Sequence, residues 1–70
     1  MTFSRGDRVR WTWGEGEAEG VVHAVHEERV TRKIKGTSVV RDGSSETPAL
    51  DIEQDNGDVV LKLSSEVSPA

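Results

Sequence analysis

The sequence predicts an all-β fold, a small five-stranded barrel, and three observations carry that prediction. Val and Ile together supply 12 of the 70 residues, Thr adds 5 and Gly 7, against only 3 Leu. That composition favours strands and turns over helices. Stretches of apolar–polar alternation recur along the chain, separated by runs of Gly, Asn, Asp and Ser. Five short strands joined by tight turns leave exposed edges in an open sheet, and closure into a barrel removes them. At this length one domain over residues 1–70 is expected, its core at about 5–67.

Residues 1–5 read as a short frayed lead. Gly6-Asp7 is a turn that launches the first strand, in which Val9, Trp11 and Trp13 alternate with Arg8, Arg10 and Thr12. One face of that strand is therefore buried. Gly14-Glu15-Gly16-Glu17 reads as a flexible acidic loop, and a second strand is expected from about Ala18 to His26. Its adjacent Val21 and Val22 point to opposite faces, so the strand is either covered on both sides or bulged, with Gly20 the cheapest place for a bulge. After a turn at Glu27-Glu28, a third strand alternates Val30, Arg32 and Ile34 with Thr31, Lys33 and Lys35. Residues 37–41 either continue it past Gly36 or form a hairpin arm.

A long polar loop follows at 42–48. The fourth strand carries Leu50 and Ile52 on one face and Asp51 and Glu53 on the other. Asp55-Asn56-Gly57-Asp58 is the strongest turn signal in the chain, since Asn-Gly accepts the positive φ angles of a two-residue hairpin. The fifth strand places Val59, Leu61 and Leu63 inward. Residues 64–67 fit one helical turn, and the tail beyond reads as frayed.

Several functions fall away at this stage. No apolar run approaches the roughly 18 residues of a membrane span, and no charged-then-apolar leader opens the chain, so a cytoplasmic protein off the membrane is expected. The absence of Cys excludes disulfides, thiol catalysis and thiolate metal sites. A core this small has little volume to give up for the roughly 300–1,000 Å³ cleft that small-molecule sites use. No Ser sits in a recognisable nucleophile turn, and no Gly-rich phosphate loop opens a helix.

The order of motifs resembles a known family. Gly6-Asp7-Arg8-Val9-Arg10-Trp11 is followed by Glu19-Gly20-Val21-Val22, then by Val30-Thr31-Arg32-Lys33-Ile34-Lys35-Gly36-Thr37. Pro48-Ala49-Leu50-Asp51-Ile52-Glu53-Gln54, Asp55-Asn56-Gly57-Asp58, Leu61-Lys62 and Ser65-Glu66-Val67 complete the series. Across residues 5–67 the chain resembles the hypervirulence-associated protein Tudor-domain family, a small bacterial and fungal family of unknown function. The resemblance implies a Tudor-like, SH3-like barrel. It implies no activity, cofactor or catalytic residue.

Charge is segregated along the sequence. Residues 29–41 hold Arg29, Arg32, Lys33, Lys35 and Arg41 without an acid, whereas 42–58 hold Asp42, Glu46, Asp51, Glu53, Asp55 and Asp58 without a base. Two readings follow: a basic strand that meets an anionic partner, or a basic strand that pairs with acidic neighbours across the sheet. The net charge of −4 weighs toward the second, because nucleic-acid-binding domains are commonly basic. An aromatic cage for a methylated cation needs several ring faces, and Phe3, Trp11 and Trp13 are the chain's only aromatics. Trp11 is expected in the core, and Trp13, beside the Gly14 loop, is the better candidate for a contact at the barrel mouth.

His23 and His26 lie three apart, hence on opposite faces of a regular strand, and cannot share an ion without a bulge. A calcium loop counted from Asp51 fails too, with Asn56 where Gly and Lys62 where Glu are needed. Neither a metal nor a cofactor is therefore expected. The sequence points to a non-enzymatic interaction module that binds a protein or peptide partner through Trp13, Arg32, Lys33, Lys35 and Arg41. The alternative is a nucleic-acid-associated barrel using the 29–41 stretch.

Overall fold

The computed structural model describes residues 3–70. Seven strands form in chain order: β1 Arg8–Trp13, β2 Gly16–His26, β3 Arg29–Ile34, β4 Thr37–Asp42, β5 Ala49–Gln54, β6 Val59–Leu63 and β7 Ser68–Pro69, with a 3₁₀ turn at Ser64–Glu66 before the last. All pairings are antiparallel. Five strands make one sheet in the order β6-β5-β2-β1-β7, and β3 and β4 make a separate hairpin. The expectation of a closed five-stranded barrel is thus corrected. The all-β class stands, but β6 and β7 are the two edges of the larger sheet. The arm at 37–41 is a strand of its own, and the tail that reads as frayed supplies β7, paired with Val9 and Arg10.

The larger sheet has two working faces. On one, Val9 and Trp11 of β1, Val22 of β2, and Leu50 and Ile52 of β5 bury together with Phe3 and Val67, and Val60 packs at their margin. Phe3 is only 5% exposed, so the lead is anchored from there on rather than frayed, residues 1 and 2 lying outside the described residues. The register places Val9 opposite Gly20, Trp11 opposite Ala18, and Ile52 between Val22 and Val60. On the other face, Ala49 of β5 and Leu61 of β6 bury beneath Val30, with Ile34, Val39 and Leu63 around them. The β3–β4 hairpin is therefore the second layer. It turns Val30, Ile34 and Val39 onto the sheet and leaves Thr31, Lys33, Lys35, Ser38 and Val40 exposed.

Turn chemistry departs from the sequence reading in three places. Gly14 and Glu15 form a tight two-residue turn, since Trp13 pairs with Gly16, so the acidic loop is half as long as expected. A two-residue connection also joins β3 to β4: Ile34 pairs with Thr37, and Lys35 and Gly36 have φ of 50° and 80°. Both positive values are those of a type I′ turn, whose twist suits a hairpin. The Asn56-Gly57 corner is different. Only Gly57 has positive φ there, at 90°, and the Gln54 amide donates to Asp58 O at 2.7 Å while the Gly57 amide donates to Gln54 O at 2.9 Å. That is a three-residue connection closed by a glycine bulge.

The β2 bulge lies between Val22 and Ala24 rather than at Gly20. Gly20 instead sits against the neighbouring strand, where an added Cβ would meet Glu53 O and the Ile52 methyl at 2.6 Å. Two side chains sit in unexpected environments. Asp51, read as facing water, is buried, because the β3–β4 hairpin covers that face of β5. Val59, read as inward, is 44% exposed, because the hairpin stops short of the start of β6.

Candidate functional site

The bulge at His23 decides what the second face of the sheet presents. One extra residue in β2 reverses the parity beyond it. His23 then reaches Glu53 (Nε2–Oε1 2.7 Å) and His26 reaches Asp51 (Nε2–Oδ2 2.8 Å). Asp51 and Glu53 are two apart on regular β5 and share a face, so both histidines point the same way, contrary to the unbulged expectation. Each ring has its own carboxylate, and no group of three or more His, Asp or Glu able to hold a metal ion occurs among the described residues.

Asp51 is the hub between the two layers. Its Oδ2 accepts from Arg32 at 3.0 Å and from His26 at 2.8 Å. The His26 proton is therefore on Nε2, and the 3.4 Å approach of Arg32 to that nitrogen is packing, since a protonated nitrogen cannot accept. Asp51 Oδ1 is buried without a partner among the described residues. The other Arg32 amino group donates to Thr31 O at 3.1 Å. Arg32 thus ties the backbone of β3 to the sheet beneath it.

Arg41 repeats this arrangement on β4. Its guanidinium donates to Glu66 at 2.8 Å and to Val40 O at 3.0 Å. Glu66 also accepts the Leu63 amide at 2.7 Å, which fixes the 3₁₀ turn to the hairpin. Burial pushes the Glu66 carboxyl up, but the Leu63 amide and the Arg41 guanidinium outweigh it and hold the carboxyl below its ordinary range. A carboxylate with a lowered folded-state pKa contributes stability above its unfolded pKa and loses it as pH falls through the folded value. Glu66→Gln should accordingly melt below wild type at neutral pH. The two melting curves should converge as pH drops below 4.5, the ordinary value for this carboxyl. A difference that persists unchanged into acid would refute the linkage.

Between the tip of the hairpin and the β5–β6 corner lies a groove of about 270 Å³, lined by Arg32, Lys33, Ile34, Lys35, Gly57, Asp58 and Val59. The I′ turn carries one wall and the glycine bulge the other. Ile34 and the exposed Val59 give it an apolar strip. Lys35 Nζ reaches across to Asp58 Oδ2 at 2.9 Å, both in solvent, and this hydrogen bond holds the Asp58 carboxyl below its usual range. Lys33 is exposed and has no acidic partner among the described residues.

Of the five residues singled out in the sequence, the groove gathers Arg32, Lys33 and Lys35. Arg41 is on β4, bonded to Glu66 and outside the lining. Trp13 is 63% exposed at the end of β1 and also lies outside it. Arg32, Lys35 and Arg41 all have internal acidic partners, so cross-layer pairing accounts for much of the charge segregation. The missed wall is Gly57, Asp58 and Val59. Their turn signal is plain in the sequence, but only the packing of the layers sets it opposite β3.

A family model described as hypervirulence associated proteins Tudor domain matches residues 6–67. Comparison with curated proteins and with solved structures found no match.

Proposed function

Because the chain belongs to the family of hypervirulence-associated protein Tudor domains, we propose that it is a non-enzymatic interaction module, one domain over residues 1–70, which binds a protein or peptide partner at the groove between β3 and the β5–β6 corner. Tudor domains are typically non-catalytic binding modules. The observation that carries the reading is the groove itself, in which three cations rim an apolar strip on a chain of net charge −4. Its volume of about 270 Å³ falls below the usual range for whole small-molecule ligands, so it suits a side chain or two of a larger partner. Lys33 and Lys35 are the contact residues, and Arg32 positions their strand through Asp51. Arg41 positions β4, and Trp13 is a separate exposed contact.

The nucleic-acid alternative uses the same cations for phosphates. It is the weaker reading, because sequence-tolerant binding of single strands relies on rings that stack bases. Here the exposed ring, Trp13, is not in the groove, and Asp58 is.

Reversing Lys33 and Lys35 to Glu should leave the fold intact, since exposed pairs are worth about 0.2–1 kcal/mol each. The same change should weaken an acidic peptide about tenfold or more, each tenfold being about 1.4 kcal/mol. The measurement is an amide shift titration at low and moderate salt, with an acidic peptide and with a short oligonucleotide. Shifts confined to 29–41 and 57–59 support the groove. Shifts centred on Trp13, or none with either probe, dispose of it.

A further inference from the structure

The groove already contains a carboxylate. Asp58 stands on the far wall, and its Oδ2 lies 2.9 Å from Lys35 Nζ, the geometry of a charge-assisted hydrogen bond. Lys35 is held there by the backbone: at φ 50° it is the one non-glycine residue with positive φ among those described, and its ammonium projects from the hairpin tip across to the opposite corner. Asp58 is equally fixed. Its amide accepts no slack, donating to Asn56 Oδ1 at 2.9 Å, and its carbonyl receives the Gln54 amide at 2.7 Å. Two rigid turns therefore face each other across the groove, bridged by one exposed ion pair.

We infer that Asp58 is an internal stand-in for the partner, occupying on Lys35 the place that a carboxylate of an acidic peptide segment takes on binding, so that the bridge competes with the ligand. This rests on the groove reading above. The remaining lining defines the segment. Lys33, without an acidic partner among the described residues, receives a second carboxylate, while Ile34 and the exposed Val59 receive an apolar side chain between the two. The occupant is therefore a protein segment in which acidic and aliphatic residues are interspersed. Charge complementarity argues for it, since the lining carries Arg32, Lys33 and Lys35 against Asp58 alone on an otherwise acidic chain.

The bridge is exposed on both sides, with side-chain exposures of 74% for Lys35 and 38% for Asp58, so it is cheap to exchange. Exposed pairs of this kind are worth little, and a ligand that brings a carboxylate plus apolar contact wins the exchange. Partner binding then swings Asp58 into water without moving either turn.

The test uses a short capped peptide of interspersed Glu and Leu, a Gln-for-Glu version of it, and an oligonucleotide, each titrated against the full chain at low salt. Asp58→Asn keeps the size and the backbone amide's hydrogen bond to Asn56 Oδ1 while removing the charge. It should tighten the Glu peptide roughly three- to fivefold, the ratio that about 0.6–1 kcal/mol represents. Lys35→Asn removes the cation with a residue that tolerates positive φ. In that background Asp58→Asn should bring no tightening, because the competitor's anchor is gone, and the Gln peptide should respond to neither change.

If Asp58→Asn leaves the Glu peptide unchanged while charge reversal at Lys33 and Lys35 still abolishes binding, the stand-in is refuted and the groove survives. If charge reversal has no effect either, both fall. If the oligonucleotide displaces the Glu peptide and gains equally from Asp58→Asn, the groove takes phosphate and the acidic-peptide occupant is overturned.

Discussion

Replacing Trp11 with Ala is expected to cost about 3–5 kcal/mol, the usual range for deleting a buried large aromatic. Folded domains have about 0.05–0.15 kcal/mol per residue in hand, so a chain this size has about 3.5–10 kcal/mol in total. The loss is therefore between about a third and the whole of that stability, and the variant should unfold at a far lower urea concentration. Trp11 is 6% exposed and lies opposite Ala18, in the cluster that also holds Phe3, Val9 and Val67. Its loss leaves a hole in the cluster that also buries Phe3, Val9, Val22, Leu50, Ile52 and Val67. Trp13, two residues on, is 63% exposed beside the turn, and Trp13→Ala should stay within about 0.5 kcal/mol of wild type, as surface substitutions do. Urea unfolding followed by circular dichroism measures both. Equal losses, or a larger one at Trp13, would mean that β1 does not end where it packs here.

The contrast between the two tryptophans was legible in the sequence, because alternation identifies a buried face and proximity to a glycine turn identifies its exposed end. Leu50 and Ile52 were legible for the same reason. Parity failed wherever something outside the strand decided the environment. Asp51 has the parity of a water-facing residue, yet a separate hairpin lies over it. The two histidines have opposite parity in a regular strand, and a single bulge sets both over acids of one face. Phe3 sits in a segment with no alternation at all and is buried because the core needs it.

The site shows the same division. The basic strand and its acidic counterparts could be read as opposed charges, and Arg32 with Asp51 and Lys35 with Asp58 do pair, but between the layers rather than across one sheet, while Arg41 takes Glu66 from outside the acidic stretch. That two of those partners lie at different heights of the hairpin, leaving a groove at its tip, is a property of how the layers stack. Local pattern carries no information on that.

That stacking depends on one residue which looked like loop filler. Gly43 follows β4, and a Cβ placed on it would lie 2.5 Å from His26 O, 2.7 Å from Glu28 O and 2.8 Å from Ala49 N. All three are main-chain atoms, and they belong to the end of β2, the approach to β3 and the start of β5. Here the hairpin leaves the sheet and returns to it, and the Gly43 amide closes the junction by donating to Glu28 O at 3.1 Å. No side-chain rotation relieves contacts this short, so Gly43→Ala must push the strands apart.

Overpacking of this kind costs about 1–3 kcal/mol and occasionally more, and three simultaneous backbone contacts put Gly43→Ala at the upper end. At about 3 kcal/mol the melting midpoint should fall by roughly 12–24 °C. Gly16→Ala is the control, since a Cβ there meets nothing within 4 Å, and it should melt within a few degrees of wild type. Because one wall of the groove is the hairpin tip and the other is the β5–β6 corner, Gly43→Ala should also abolish peptide binding in the cold, where the chain is still folded, although it changes no residue of the lining. Amide exchange should locate the damage, with protection lost across β3 and β4 before β1 and β2. A Gly43→Ala protein that melts with wild type would show that the junction has room to spare.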